Sequence, residues 1–124
     1  MHISEIRPFV RFARYLKMDG DSRYPEFVPV DARLFYMMSG EGMIRLEEKQ
    51  FRMCKGSVLL IPPGQRYHLE TPERQAVYLA LSFDYTFSAS DQSVPIPPEI
   101  YREGMEQPEG VEFEDPEQFD GFFY

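Results

Sequence analysis

The chain has 124 residues and a mass of 14.6 kDa, with eleven Phe, eight Tyr, no Trp and eleven Pro. A chain of this length forms one domain and buries roughly two-thirds of its unfolded surface, and a composition rich in aromatics and proline suits strands and turns over a helical bundle. The net charge of -8 arises in residues 84–124, which hold one Arg against eleven acids, while residues 1–83 hold 12 basic and 10 acidic side chains, so neither part carries the basic face that binding of nucleic acid requires.

Between residues 6 and 83 the pattern is of short strands parted by turn residues. Val10, Phe12, Leu16 and Met18 alternate with Arg11, Ala13, Tyr15 and Lys17, which predicts a first strand ended by Asp19-Gly20-Asp21-Ser22. A second covers 33–38 and stops at Ser39-Gly40-Glu41-Gly42. A third covers 43–47 and turns through Glu48-Lys49-Gln50 into a short fourth at 51–54. Gly56 breaks the chain again, and the apolar run 57–61 ends at Pro62-Pro63-Gly64. Strands at 67–70 and 76–83 complete the set, with Thr71-Pro72-Glu73 between them. Many short strands at regular spacing predict an all-β antiparallel barrel or sandwich.

Residues 86–124 differ in character and are expected to form an irregular, proline-rich acidic segment outside a barrel domain of residues 1–85. The terminal Phe122-Phe123-Tyr124 either docks on the barrel or marks a chain cut within an element. Met1–Glu5 lacks the layout of a secretory leader, and no apolar run reaches the length of a membrane span, so a soluble, cytoplasmic protein is expected. One cysteine cannot form an internal disulfide, and Cys54 reads as a buried small hydrophobe.

The stretch Gly56-Ser-Val-Leu-Leu-Ile-Pro-Pro-Gly-Gln-Arg-Tyr-His68 resembles the second conserved motif of cupins. Ahead of it, Phe35-Tyr-Met-Met-Ser-Gly-Glu-Gly42 is similar to the end of the first. Together they most resemble the sensor domain of AraC-type transcription regulators, over residues 24 to 85. The local physics is sound without any family: Gly56 and Gly64 permit positive φ where strands reverse, and Pro62-Pro63 ends the ladder.

The resemblance implies a cupin-like double-stranded β-helix, or jelly roll. It also tests for metal, since many cupins bind one through three histidines and a glutamate. The glutamate position, seven residues before Gly40, is Arg33. The first-motif histidine positions fall near Phe27 to Pro29, and the second-motif histidine position is Tyr67. His68 stands one residue late, which strand alternation turns to the opposite face. No metal, no cofactor and no catalytic residue is therefore expected.

The same-face residues Arg33, Phe35 and Tyr67 would line the barrel interior. By position on the last strand Tyr78, Ala80 and Ser82 resemble the ligand-facing set of the AraC-type sensor domains, and His68 joins them as a ligand-binding candidate. Each has a structural alternative. Arg33 could pair at the rim with Glu26 or Asp31, Tyr67 and Tyr78 could be core tyrosines, and His68 could be a surface histidine. The resemblance implies a small, sugar-like effector, a homodimer, no membrane, and DNA contact only through a helix-turn-helix domain beyond this chain. The alternative is a stand-alone cupin acting as a sugar isomerase or epimerase, or as a simple binding module.

Overall fold

A computed structural model describes residues 7–86 and 94–97. Seven strands follow in order: β1 (Phe9–Met18), β2 (Ala32–Ser39), β3 (Gly42–Leu46), β4 (Lys49–Met53), β5 (Val58–Ile61), β6 (His68–Leu69) and β7 (Ala76–Asp84). They form two antiparallel sheets, one ordered β1-β7-β2-β5 and the other β4-β3-β6. The described residues are therefore all-β, as expected, in the cupin-like barrel arrangement.

Alternation decides what each strand buries. Leu16, Met18, Phe35, Met37, Leu59, Ile61, Tyr78 and Ala80 from the larger sheet meet Ile44, Leu46, Met53, Tyr67 and Leu69 inside the barrel. Intervening residues of the larger sheet build a second, smaller core on its outer face. There Ala32, Leu60, Phe83 and Tyr85 are buried and Ile96 packs against them. Ile96 is the described part of the segment expected at 86–124; apart from residues 86 and 94–97, that segment lies outside the described residues, as does Phe122-Phe123-Tyr124.

The motif glycines behave as their chemistry requires. Gly56 and Gly64 take φ of 93° and 81° at chain reversals, where a β-carbon would be strained. Three local expectations need correction. The β3–β4 turn uses two residues, Glu47-Glu48, with Glu47 itself at φ 50°, because Leu46 must point inward and pairs directly with Lys49. The penultimate strand is only His68–Leu69, with Tyr67 joined to Phe27 by an isolated bridge. Cys54 is exposed. Its amide donates to the buried Ser57 hydroxyl at 3.0 Å, which fixes the turn, and its sulfur lies 3.5 Å from the same hydroxyl.

β1 departs from plain alternation. Val10 pairs with Phe83 and Phe12 with Ser82, so Arg11 has no residue opposite it and forms a bulge. Beyond the bulge β1 buries Leu16 and Met18, whereas Phe12 remains 54% exposed at the barrel mouth.

Candidate functional site

β7 lies between β1 and β2, and its inward side chains control the space inside the barrel. Tyr78, flanked by Leu16 and Met37, fills the interior. Four residues further along, Ser82 stands between Phe12 and Arg33, and Ala80 between Arg14 and Phe35. Two small side chains in the middle of the sheet leave a cavity of about 300 Å3, reached by Arg11 and Asp31 as well.

Arg33 is a firmly held polar group at this cavity. Its side chain is 21% exposed, and its Nε donates to Asp31 Oδ1 at 3.3 Å. Its Nη1 donates to the Tyr67 hydroxyl at 3.0 Å, and its guanidinium lies 4.8 Å from the centroid of the Phe27 ring. Of the two rim partners weighed for Arg33, Asp31 is the one it meets; Glu26 pairs with Arg45 and Arg66. Burial pushes the Asp31 carboxyl above its ordinary range, an effect that Arg33 opposes. Burial likewise raises the Tyr67 hydroxyl, opposed by Arg33 and then Arg14. The Tyr67 ring sits edge-on to Phe27 and Phe35, at centroid distances of 6.2 and 5.6 Å.

The structure thus brings Arg33, Phe35 and Ser82 to one cavity, with Tyr67 beside it through Arg33. It does not bring Tyr78 or His68 there. The Tyr78 hydroxyl points away, toward Gly42, where it is buried without a hydrogen-bond partner, and burial pushes its pKa up to about 12. His68 lies between the buried Tyr67 and Leu69 and faces outward, 3.9 Å from Glu70 and opposite Arg45. That is the opposite face which alternation predicts for it.

Four residues of the cavity were absent from the expected site: Arg11, Phe12, Arg14 and Asp31. Arg14 shares the alternate face of Leu16 and Met18, a signal the sequence does carry. Arg11 carries no such signal, because it enters through the bulge. Its Nε donates to Asp84 Oδ2 at 2.7 Å and its Nη2 to the Val94 carbonyl at 2.8 Å. Asp84 Oδ1 in turn accepts the Ile96 amide at 3.0 Å, so one buried ion pair ties β1, β7 and residues 94–97 together.

A wider trough of about 900 Å3 lies at the other end of the barrel, between the β2–β3 turn and the loop before β7. Of its two lining cations, Arg52 is paired with Glu41, both largely exposed, and Arg74 is exposed as well. It therefore lacks the desolvated polar group that distinguishes the smaller cavity. No group of three or more His, Cys, Asp or Glu side chains among the described residues could hold a metal. The positions that the cupin resemblance assigns to metal ligands hold the Arg33 guanidinium, the Tyr67 phenol and the exposed Phe27, and these groups do not fit a metal.

A family model described as the AraC-like ligand binding domain matches residues 9–93. No curated protein sequence matches the chain at a significant level. Among solved structures, a cupin-2 domain protein from Shewanella frigidimarina superposes with a TM-score of 0.50 at 16% identity, over 56% of this chain and 66% of that one. The chain therefore spans just under two thirds of that protein's length. A cupin 2 conserved barrel domain protein from Salinispora arenicola gives 0.54 at 16%, over 64% and 76%. A predicted oxalate decarboxylase from Thermotoga maritima gives 0.55 at 18%, over 62% and 68%. At such identities these likenesses show the shared cupin fold.

Proposed function

The chain belongs to the AraC-like ligand binding domain family, and from that premise we propose that it senses a small-molecule effector in the cavity between β1, β7 and β2. The observation that carries the reading is Arg33. A mostly buried guanidinium, held by Asp31, Tyr67 and Phe27, faces a cavity kept open by Ala80 and Ser82. Its volume lies at the small end of the range for ligand sites, and aromatic walls with a few fixed polar groups are their usual composition.

Sensing then works by population shift. The effector binds one arrangement of barrel and neighbouring segments better than another, and that difference in affinity is passed on. A homodimer, and a helix-turn-helix domain elsewhere in the natural protein, complete the regulator that this reading describes. A sugar-like effector is the class that the family resemblance suggests. No helix among the described residues is long and apolar enough to cross a membrane.

Two variants test the site. Against a panel of sugars and small polar metabolites, the wild-type chain should gain thermal stability with at least one compound. Arg33→Ala should abolish that gain, and Ala80→Leu should do so by filling the cavity. A gain that survives both substitutions would place the effector elsewhere. The size of the native product checks the regulator: a band larger by on the order of 100 residues leaves room for another domain.

A cupin enzyme is the second reading, favoured by the fold shared with a predicted oxalate decarboxylase. It would need a base at the cavity. A phenol is protonated at neutral pH, and burial raises the Tyr67 hydroxyl further, which leaves Asp31 to serve. Turnover abolished by Asp31→Asn would establish that reading.

A further inference from the structure

We propose that the effector is recognised through an anionic group, a carboxylate or a phosphate, held at the cavity mouth between Arg14 and Arg33. The inference rests on the sensing reading above and narrows its ligand class, away from a neutral sugar. Three guanidiniums surround the cavity, those of Arg11, Arg14 and Arg33, against one lining carboxylate, Asp31.

Pairing leaves that surplus unspent. Asp84 is engaged by two nitrogens of Arg11 and is itself fully buried, so it is committed to the latch. Arg11 and Asp84 therefore cancel as a buried pair, although Arg11 Nη1 is buried without a partner, and the charge left at the cavity rests with Arg14 and Arg33 against Asp31. Asp31 meets Arg33 Nε at 3.3 Å, a long contact for a charge-assisted pair. Arg14 is exposed and, among the described residues, meets no carboxylate; its guanidinium lies 5.7 Å from the Phe12 ring centroid. Arg33 spends Nη1 on Tyr67 and leaves Nη2 without a protein acceptor among the described residues.

Arg33, its side chain 21% exposed, is the partly desolvated member of the pair, and an oxyanion would add a charge-assisted hydrogen bond there that a neutral hydroxyl does not match. The guanidinium fork suits carboxylate and phosphate oxygens alike. Because the Tyr67 hydroxyl accepts from Arg33, its own proton remains to be donated to the same anion. Each of the two arginines lies over an aromatic ring at the rim, Phe12 and Phe27, which are 54% and 45% exposed. The rings hold the guanidiniums in place and offer an apolar wall to the body of the ligand.

The test uses the full chain labelled with 15N-arginine, at constant ionic strength so that screening does not change. Sodium benzoate, D-glucose 6-phosphate and D-glucose are titrated in turn to about 50 mM, well into the range where a weak charge-assisted contact registers. The Nε signals of Arg14 and Arg33 should shift saturably with benzoate, with glucose 6-phosphate, or with both. The two arms distinguish a carboxylate from a phosphate site. D-glucose, with the same sugar body but no charge, should leave them unmoved. Arg14→Gln should weaken the anion about tenfold or more, the worth of a hydrogen bond to a charged group, while Arg14→Lys retains part of the affinity.

Equal shifts with D-glucose would overturn the anionic assignment and leave the sensing reading standing. Absence of any shift with both anions would overturn the assignment as well, and the thermal panel with Arg33→Ala would then judge the sensing reading separately. Shifts at Arg23 and Arg74, which do not line the cavity, as large as those at Arg14 and Arg33 would mark non-specific ion pairing and would also sink it.

Discussion

Tyr78 is fully buried, and its hydroxyl has no hydrogen-bond partner among the described residues. A buried orphan donor carries its desolvation cost uncompensated, so Tyr78→Phe should leave stability unchanged or raise it by up to about 1 kcal/mol in urea unfolding. The same burial makes a pH prediction. The folded phenol titrates at about 12, against an ordinary value of 10.0. Between those values the folded state holds a proton that the unfolded state has released, so stability must fall as pH rises. The slope from this group approaches ~1.4 kcal/mol per pH unit, and Tyr78→Phe should remove that contribution. Below pH 10 the two proteins should run parallel. At this scale the sequence was informative about faces and silent about depth. Alternation puts Tyr78 and Ser82 on one face of β7, but four residues at about 3.3 Å each part them by roughly 13 Å along the strand. Ser82 therefore reaches the cavity while Tyr78 closes the floor beyond it. For His68 the same alternation indicates the outward face that the structure shows.

Strands interact through the positions they leave small. Gly42 opens β3, and a β-carbon there would collide with the Tyr78 hydroxyl and press on the Met37 side chain, 3.2 Å away. Gly42→Ala should therefore destabilise the fold by about 1–3 kcal/mol, as overpacking of a filled core does. Because the hydroxyl is the nearest obstacle, Tyr78→Phe should recover part of that loss. The double-mutant cycle should show a coupling of about 0.5 kcal/mol or more, and additive losses would mean that the strain lies in the backbone. The strands themselves were largely legible, since period-two alternation and Gly-Pro punctuation are local signals. The exceptions were also local: a two-residue turn at Glu47-Glu48 without glycine, and a strand at His68–Leu69 shortened because Tyr67 bridges to Phe27 instead. Propensity alone would not select a glutamate for positive φ; the register of Leu46 against Lys49 does.

Across the whole molecule, the Arg11–Asp84 pair joins the bulged first strand, the last strand and residues 94–97. Both partners are at least nine-tenths buried. Asp84→Ala would leave the Arg11 guanidinium buried beside its own unpartnered Nη1, and the expected loss is about 3–5 kcal/mol. Asp84→Asn, which retains an acceptor for Arg11, should lose less. A midpoint in urea that shifts with unchanged slope would assign the loss to the folded state. Since Arg11 also borders the cavity, occupancy by an effector and the anchoring of residues 94–97 share one side chain. That gives the proposed population shift a physical contact through which to act.

The sequence by itself determined the fold class, the succession of strands along the chain and the inward face of most of them, because these depend on residues adjacent in the chain. Its resemblance to AraC-type sensor domains led to the family that the chain belongs to. Only the tertiary structure decided which inward residues meet. Arg11 and Asp84 are 73 positions apart, and a one-residue bulge brings Arg11 to the cavity. Arg33 and Tyr67 are 34 apart, and Arg33 meets Asp31 while Glu26 is taken by Arg45 and Arg66. Charge pairing of this kind depends on distances of a few ångströms between strands, a length over which alternation along one strand carries no information.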